Sequence, residues 1–223
     1  MIAFRNVFPQ KPLLVTMLAG NENLIVHNAH IARDVGVSGV FIVGHNDVSV
    51  EDLQGCYLAV QRACPNWWVG IKYPKLDNEQ AIQQAAADAV SGVWLNCNIN
   101  VIAEQPDAQI KQLRAWQKQY GAKDTLLFGE LQEPVWLPGV AAYFAARHVD
   151  VVLTKEKDRI VVGINEFGLM KRVLDGRPLG VITHTPENVL PYADCVIVPV
   201  LAKRPFVKLP PYRIHQLAQA LAG

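Results

Sequence analysis

Two lysines, a glutamate and a histidine stand where short apolar runs end. Lys72 closes WVGIK, Lys155 closes VVLTK, Glu130 closes TLLFGE, and His184 follows LGVIT. A lysine at the end of a buried strand is costly unless it is paired or used, and its pKa falls readily on desolvation, which is what amine nucleophiles exploit. Lys72 and Lys155 are therefore candidates for imine or cation chemistry. Glu130 ends an otherwise apolar strand and should be desolvated or ion-paired, either of which suits a general base or an acceptor for a substrate hydroxyl. His184 and His45 belong to the one side-chain type that titrates near neutrality unperturbed. The competing readings are structural: Lys155 paired with Glu130, Lys72 paired with Asp47, lysines snorkelling to the surface, and histidines that merely occupy loops.

A second set of residues is better suited to binding. Asn96, Asn98 and Asn100 alternate, so an extended chain would turn all three amides to one side, a row suited to a polar ligand. Turn preferences explain Asn100 better than Asn96. His45, Asn46 and Asp47 follow one strand candidate, and Thr183 and Thr185 flank His184 after another. No spacing forces two carboxylates together, so no metal site is expected, and no motif implies a cofactor. His27 and His30 read as helix-surface residues. The four cysteines, Cys56, Cys64, Cys97 and Cys195, include no CxxC pair and read as reduced core thiols.

The elements that position these residues alternate from end to end. Strand candidates cover 13–17, 40–44, 68–72, 93–96, 125–130, 151–155, 179–183 and 195–200. Helix candidates cover 22–35, 50–64, 78–90, 107–120, 134–147, 165–175, 186–192 and 210–222. Local punctuation agrees: Asp77 and Thr185 stand at helix starts, the latter before a first-turn proline, and Gly121 and Gly176 at helix stops. Eight βα units in 223 residues imply a single-domain (β/α)8 TIM barrel over 1–223, with an open doubly wound sheet as the alternative. The first βα turn, MLAGNENL, lacks the glycine fingerprint of dinucleotide-binding sheets. In a barrel the βα loops converge over the carboxyl ends of the strands, so all the candidates fall on one rim. Lys155 then ends the sixth strand, where several class I aldolase barrels carry their imine-forming lysine, an analogy of fold only.

Composition narrows the partners. The formal net charge of +1 supplies no global field for nucleic acid, and no apolar run reaches the roughly 18 residues of a membrane span. A cytoplasmic protein with a small-molecule ligand, an anion among the options, is expected. The segment PVWLPGVAAYFAARH carries no charge from Pro134 to Arg147, more apolar than one buried helix face requires, and a homo-oligomer contact is expected there.

GVSGVFIVGHNDVSV, VGIKYPKLDNEQAIQQAAADAVSGVWLNCNIN, DVVLTKEK and VITHTPENVLPYADCVIVPVLAKR together resemble the BtpA family of TIM-barrel proteins, related in shape to phosphate-binding barrels. The most specific piece is TPENV, Thr185 to Val189, followed by YADCVIV, Tyr192 to Val198. The resemblance implies a (β/α)8 fold; members are linked to photosystem I biogenesis in cyanobacteria, and others carry tentative enzymatic labels. The chain departs from the pattern at three places. Thr183-His184 and Val198-Pro199-Val200 stand where such barrels bring glycines to a phosphate, and Leu18 stands where a histidine often follows strand 1. Proline has no N–H to offer an anion, so Thr183, His184 and Thr185 would have to hold one through side chains and helix amides. Two functions follow from this reading: an enzyme of lyase, aldolase-like or isomerase type, or a non-catalytic barrel serving as assembly factor or ligand sensor.

Overall fold

The alternation of apolar runs becomes a closed ring of eight parallel strands, each paired with its sequence neighbours and the last with the first. They are β1 (Leu13–Leu18), β2 (Gly39–Val43), β3 (Trp68–Lys72), β4 (Gly92–Cys97), β5 (Leu126–Leu131), β6 (Val151–Lys155), β7 (Leu179–Ile182) and β8 (Cys195–Val198). The structure, a computed structural model, describes residues 3–45, 47–97, 99–100, 105–106, 108–131, 138–155 and 160–199, with Tyr212, His215, Gln216, Ala218 and Gln219 beyond them. A short helix α1 (Phe4–Val7) precedes the ring. Around it run α2 (Glu22–Asp34), α3 (Val50–Ala63), α4 (Asn78–Ala87), α5 (Ala108–Gln119), α6 (Pro138–Ala145) and α7 (Ile160–Val173).

Several local differences from the sequence expectation have physical causes. The cap at Asp77 is completed by Gln80, whose side chain returns to the Asp77 N–H, and Ser49 with Asp52 makes the same reciprocal box at α3. The segment expected to be a helix over 186–192 is a single 3₁₀ turn, Pro186–Asn188, and Thr185 makes no side-chain cap there. The fourth unit carries an extra two-stranded ribbon that pairs Ile99 with Pro106 and Asn100 with Gln105. Gly121 and Gly176 sit at φ 76° and 79°, the left-handed stop expected of them. Among the described residues no helix is long and apolar enough to cross a membrane. All four cysteines are free and buried.

Strand alternation sorts the core into two layers. Outward positions such as Val15, Ile42, Ile71, Leu127 and Val196 pack under the helices. Inward positions fill the barrel: Leu14, Phe41, Trp68, Trp94, Leu126, Phe128, Val151, Leu153, Ile182, Cys195 and Ile197, with Phe4 and Phe8 closing the N-terminal end. Phe41 lies edge-on to three rings, with centroids 5.0 Å from Trp68, 5.2 Å from Trp94 and 5.0 Å from Phe128. The large rings need empty neighbours. A Cβ on Gly92 would lie 2.4 Å from Trp68 Cζ2, and one on Gly70 would lie 2.5 Å from Phe41 Cε1. Gly92→Ala is accordingly expected to cost about 1–3 kcal/mol of stability, read as a lower urea midpoint at unchanged slope. An unchanged midpoint would show that Trp68 can swing aside.

Candidate active site

The inward parity that carries aromatic rings through the middle of the barrel changes character at the carboxyl ends of the strands. Continuing two residues from Trp94, Phe128 and Leu153, and past the inward Gly70 from Trp68, the inward positions at the strand ends of β3, β4, β5 and β6 are Lys72, Asn96, Glu130 and Lys155. Glu130 is almost fully enclosed, 1% exposed. Its Oε2 accepts from Lys72 Nζ at 2.6 Å and from Trp94 Nε1 at 2.7 Å, while Lys155 Nζ lies 2.5 Å from Oε1. The Lys72 ammonium also rides 4.4 Å above the Trp94 ring, so one tryptophan steadies both the carboxylate and its counter-ion. Register brings these groups side by side, with Glu130 opposite Asn96 on one flank and Leu153 on the other.

Burial is the strongest influence on the Glu130 carboxyl and by itself would raise its pKa. The charges and hydrogen bonds of Lys72 and Lys155 together outweigh it and hold the group below the ordinary glutamate value. Glu130 is thus ionised at neutral pH. Two ammonium groups facing one carboxylate leave the cluster with one net positive charge. The lysines differ in access: the Lys72 side chain is 25% exposed and that of Lys155 55%. Cys97, on the outward side of β4, has its thiol pushed up to about 12 by burial and by the Glu130 charge, so it is a neutral packing residue.

Asn96 is exposed at the mouth of this cluster, and its backbone is clamped from outside. Asn78, at the start of α4, accepts from Asn96 N at 3.1 Å and donates to Asn96 O at 2.8 Å. This pair of hydrogen bonds fixes the strand end beside Glu130.

The sequence candidates therefore divide. The structure gathers Lys72, Lys155 and Glu130 into one cluster, with Asn96 on the adjoining strand. Lys72 takes Glu130 as its partner; the alternative pairing with Asp47 does not form, because the Asp47 side chain is 95% exposed. His45 and Asp47 face each other on the loop after β2, where Asp47 N donates to His45 Nδ1 at 3.4 Å. On the turn after β7, Thr183 is buried and its hydroxyl accepts from Thr185 N at 2.8 Å, so this amide already has an acceptor within the chain; His184 beside it is exposed. Asn46 and Asn98 lie outside the described residues. Among the described residues no group of three His, Cys, Asp or Glu converges as a metal site. Sequence reasoning did not assign Trp94 or Asn78 to the site. Trp94 was detectable in principle, two residues before Asn96 on the same face of β4. The role of Asn78 depends on how α4 packs against the end of β4, which no local pattern reveals.

A closed ring of eight parallel strands, wrapped by helices and carrying its polar cluster at the carboxyl strand ends, is a TIM barrel. Solved structures agree. A chain of Mycobacterium tuberculosis tryptophan synthase matches with a TM-score of 0.67 at 16% identity, covering 99% of this chain and 98% of that one. Tryptophan synthase subunit alpha from Legionella pneumophila str. Paris matches with a TM-score of 0.68 at 14% identity, over 98% and 95%. A chain from Aquifex aeolicus VF5 matches with a TM-score of 0.66 at 12% identity, over 97% and 96%. At such identities the likeness is one of fold. No family model and no curated protein matches the sequence.

Proposed function

We propose that this barrel is an enzyme acting on a small polar metabolite at the strand-end rim, by lyase, aldolase-like or isomerase chemistry. The observation that carries the proposal is the enclosed Glu130 carboxylate held between Lys72 and Lys155 at the strand-end rim. Replacing a buried ion cluster by well-packed apolar side chains is often neutral or stabilising, so a barrel selected for stability alone has little use for one. A buried carboxylate with a perturbed pKa at a strand-end rim, such as Glu130, is characteristic of sites that move protons or bind charge. Whole-chain likeness to tryptophan synthase chains adds support for an enzyme on this fold.

In this reading one lysine releases its proton to solvent and its neutral amine attacks a substrate carbonyl carbon, while Glu130 stays ionised as the first candidate acceptor for a substrate proton. Loss of water leaves a protonated imine, whose nitrogen receives the electron pair of the breaking C–C or C–H bond. The other lysine keeps its charge and holds an anionic substrate group. Asn96 and Asn98 orient the substrate, His184 is the second candidate proton carrier, and His45, Asn46, Asp47, Thr183 and Thr185 contribute to the mouth. Borohydride added with a broad panel of carbonyl metabolites should leave a reduced adduct on Lys155 or Lys72, located by peptide mass spectrometry. Absence of an adduct on either lysine across the panel would discard the imine mechanism.

A non-catalytic barrel, an assembly factor or ligand sensor, is the second reading. One observation favours it: Glu130 already accepts from three donors, so the cluster is satisfied without a substrate. The BtpA-type element at Thr185–Val189 and Tyr192–Val198 supports placing the chain as a divergent relative of those barrels. A homo-oligomer contact on α6 is supported by exposed Val140 and Tyr143 beside Leu169 of α7, and a monomeric mass at micromolar concentration would refute it. The cytoplasm is the compartment that suits four free thiols.

A further inference from the structure

We propose that the N-terminal face of the barrel carries a second small-molecule site, shaped for an uncharged aromatic carboxamide or lactam. A cavity of about 610 Å³ opens there, between the segment that follows α1 and the turns leading into β2, β3 and β4. Its size falls within the range of pockets that hold small ligands. It lies at the opposite end of β3 from Lys72, and it shares no residue with the rim cluster.

The lining specifies the chemistry. None of the ten residues around the cavity is ionisable. Its flat apolar surfaces come from Phe8, Trp67 and Trp68, the first and last packed edge to face with centroids 5.4 Å apart. Its polar groups are the side-chain amides of Gln10, Gln61 and Asn66 and the hydroxyls of Ser38 and Ser91. Aromatic walls favour a planar guest, and amide and hydroxyl groups favour one that both donates and accepts hydrogen bonds. A charged guest would leave water without a counter-ion to meet it.

A separate observation points to an acceptor on that guest. Trp68 is 8% exposed, and its Nε1 is the one buried side-chain polar atom among the described residues that has no hydrogen-bond partner. Its neighbour Trp67 shows the ordinary outcome, with Nε1 donating to Val37 O at 2.9 Å. The Nε1 atom itself is sealed from the cavity, so a guest's carbonyl oxygen satisfies this orphan donor only when the Trp68 ring turns toward the cavity.

The test is a titration of uniformly ¹⁵N-labelled full-length protein, following the five tryptophan indole N–H resonances. The probes are benzamide, nicotinamide and 2-pyridone, with benzoate and benzylamine as charged counterparts. A neutral probe should move the Trp68 indole proton downfield and perturb Trp67, leaving Trp94 at the rim in place. Benzoate and benzylamine should bind about tenfold more weakly or worse. Ser91→Phe, which fills the cavity, should abolish the response; if that variant does not fold, Gln10→Trp closes the mouth from an exposed position. Equal response to the charged probes, shifts centred on Trp94, persistence in the filled variant, or no shift of Trp67 or Trp68 at about 10 mM of any neutral probe would each overturn the proposal.

Discussion

Glu130→Ala is expected to destabilise the barrel by about 3–5 kcal/mol. The substitution removes the one acceptor shared by Lys72, Lys155 and the Trp94 indole, so two ammonium groups are left at the top of an apolar barrel with no carboxylate between them. Lys72 suffers more, being the less exposed of the two. Glu130→Gln keeps the volume and one acceptor oxygen and should fall between wild type and alanine. Urea denaturation at neutral pH reads both, and equal stability of all three proteins would show that the cluster contributes nothing net.

The same cluster sets an acid dependence. Because the folded-state pKa of Glu130 lies below its unfolded value near 4.5, the folded protein releases this proton more readily than the unfolded chain. The resulting stabilisation is fully present above the unfolded pKa and is lost as pH falls through the lower folded pKa. Wild type should therefore converge on Glu130→Gln in acid, and the gap between them should be widest at neutral pH.

The second large effect is expected in the aromatic layer beneath the site. Phe41→Ala removes a fully buried ring that meets Trp68, Trp94 and Phe128, at an expected cost of about 3–5 kcal/mol. Its reach extends to the rim, because Trp94 loses a side wall and Trp94 is the donor that anchors Glu130 Oε2. Combining Phe41→Ala with Glu130→Gln should give a loss smaller than the sum of the two single losses, whereas simple additivity would show that the layers are independent.

Fold and site were legible in the sequence to different degrees. All eight strands stand where apolar runs and turn punctuation place them, since burial on both faces makes each strand a continuous apolar run. Helix α1 was not legible: four residues, FRNV, make no period, and they are helical because Phe4 plugs the barrel floor. The start of α7 at Ile160, five residues ahead of expectation, was hidden because IVV is a β-branched run. At the site, Lys72, Glu130 and Lys155 were found because a charge closing an apolar strand is anomalous, and the Lys155–Glu130 pairing was among the structural alternatives. Which partner Lys72 takes was settled by inward parity, which turns it toward the barrel axis, and no spacing in the chain expresses that.

The barrel floor has a consequence for the order in which the molecule is made. Phe4 and Phe8 precede every strand, yet their ring partners are Phe128 and Trp68, and Arg5 between them pairs with Asp194, which also accepts from Lys171 and from Leu179 N. Phe8 can meet Trp68 early, but Phe4 must wait for Phe128 and Arg5 for Asp194, 189 residues further on. Until β8 arrives, the ring is an open sheet with unpaired edges and no stopper, the state most exposed to misassociation. Asp194, one residue ahead of that strand, is the latch that joins the segment ahead of β1 to β8.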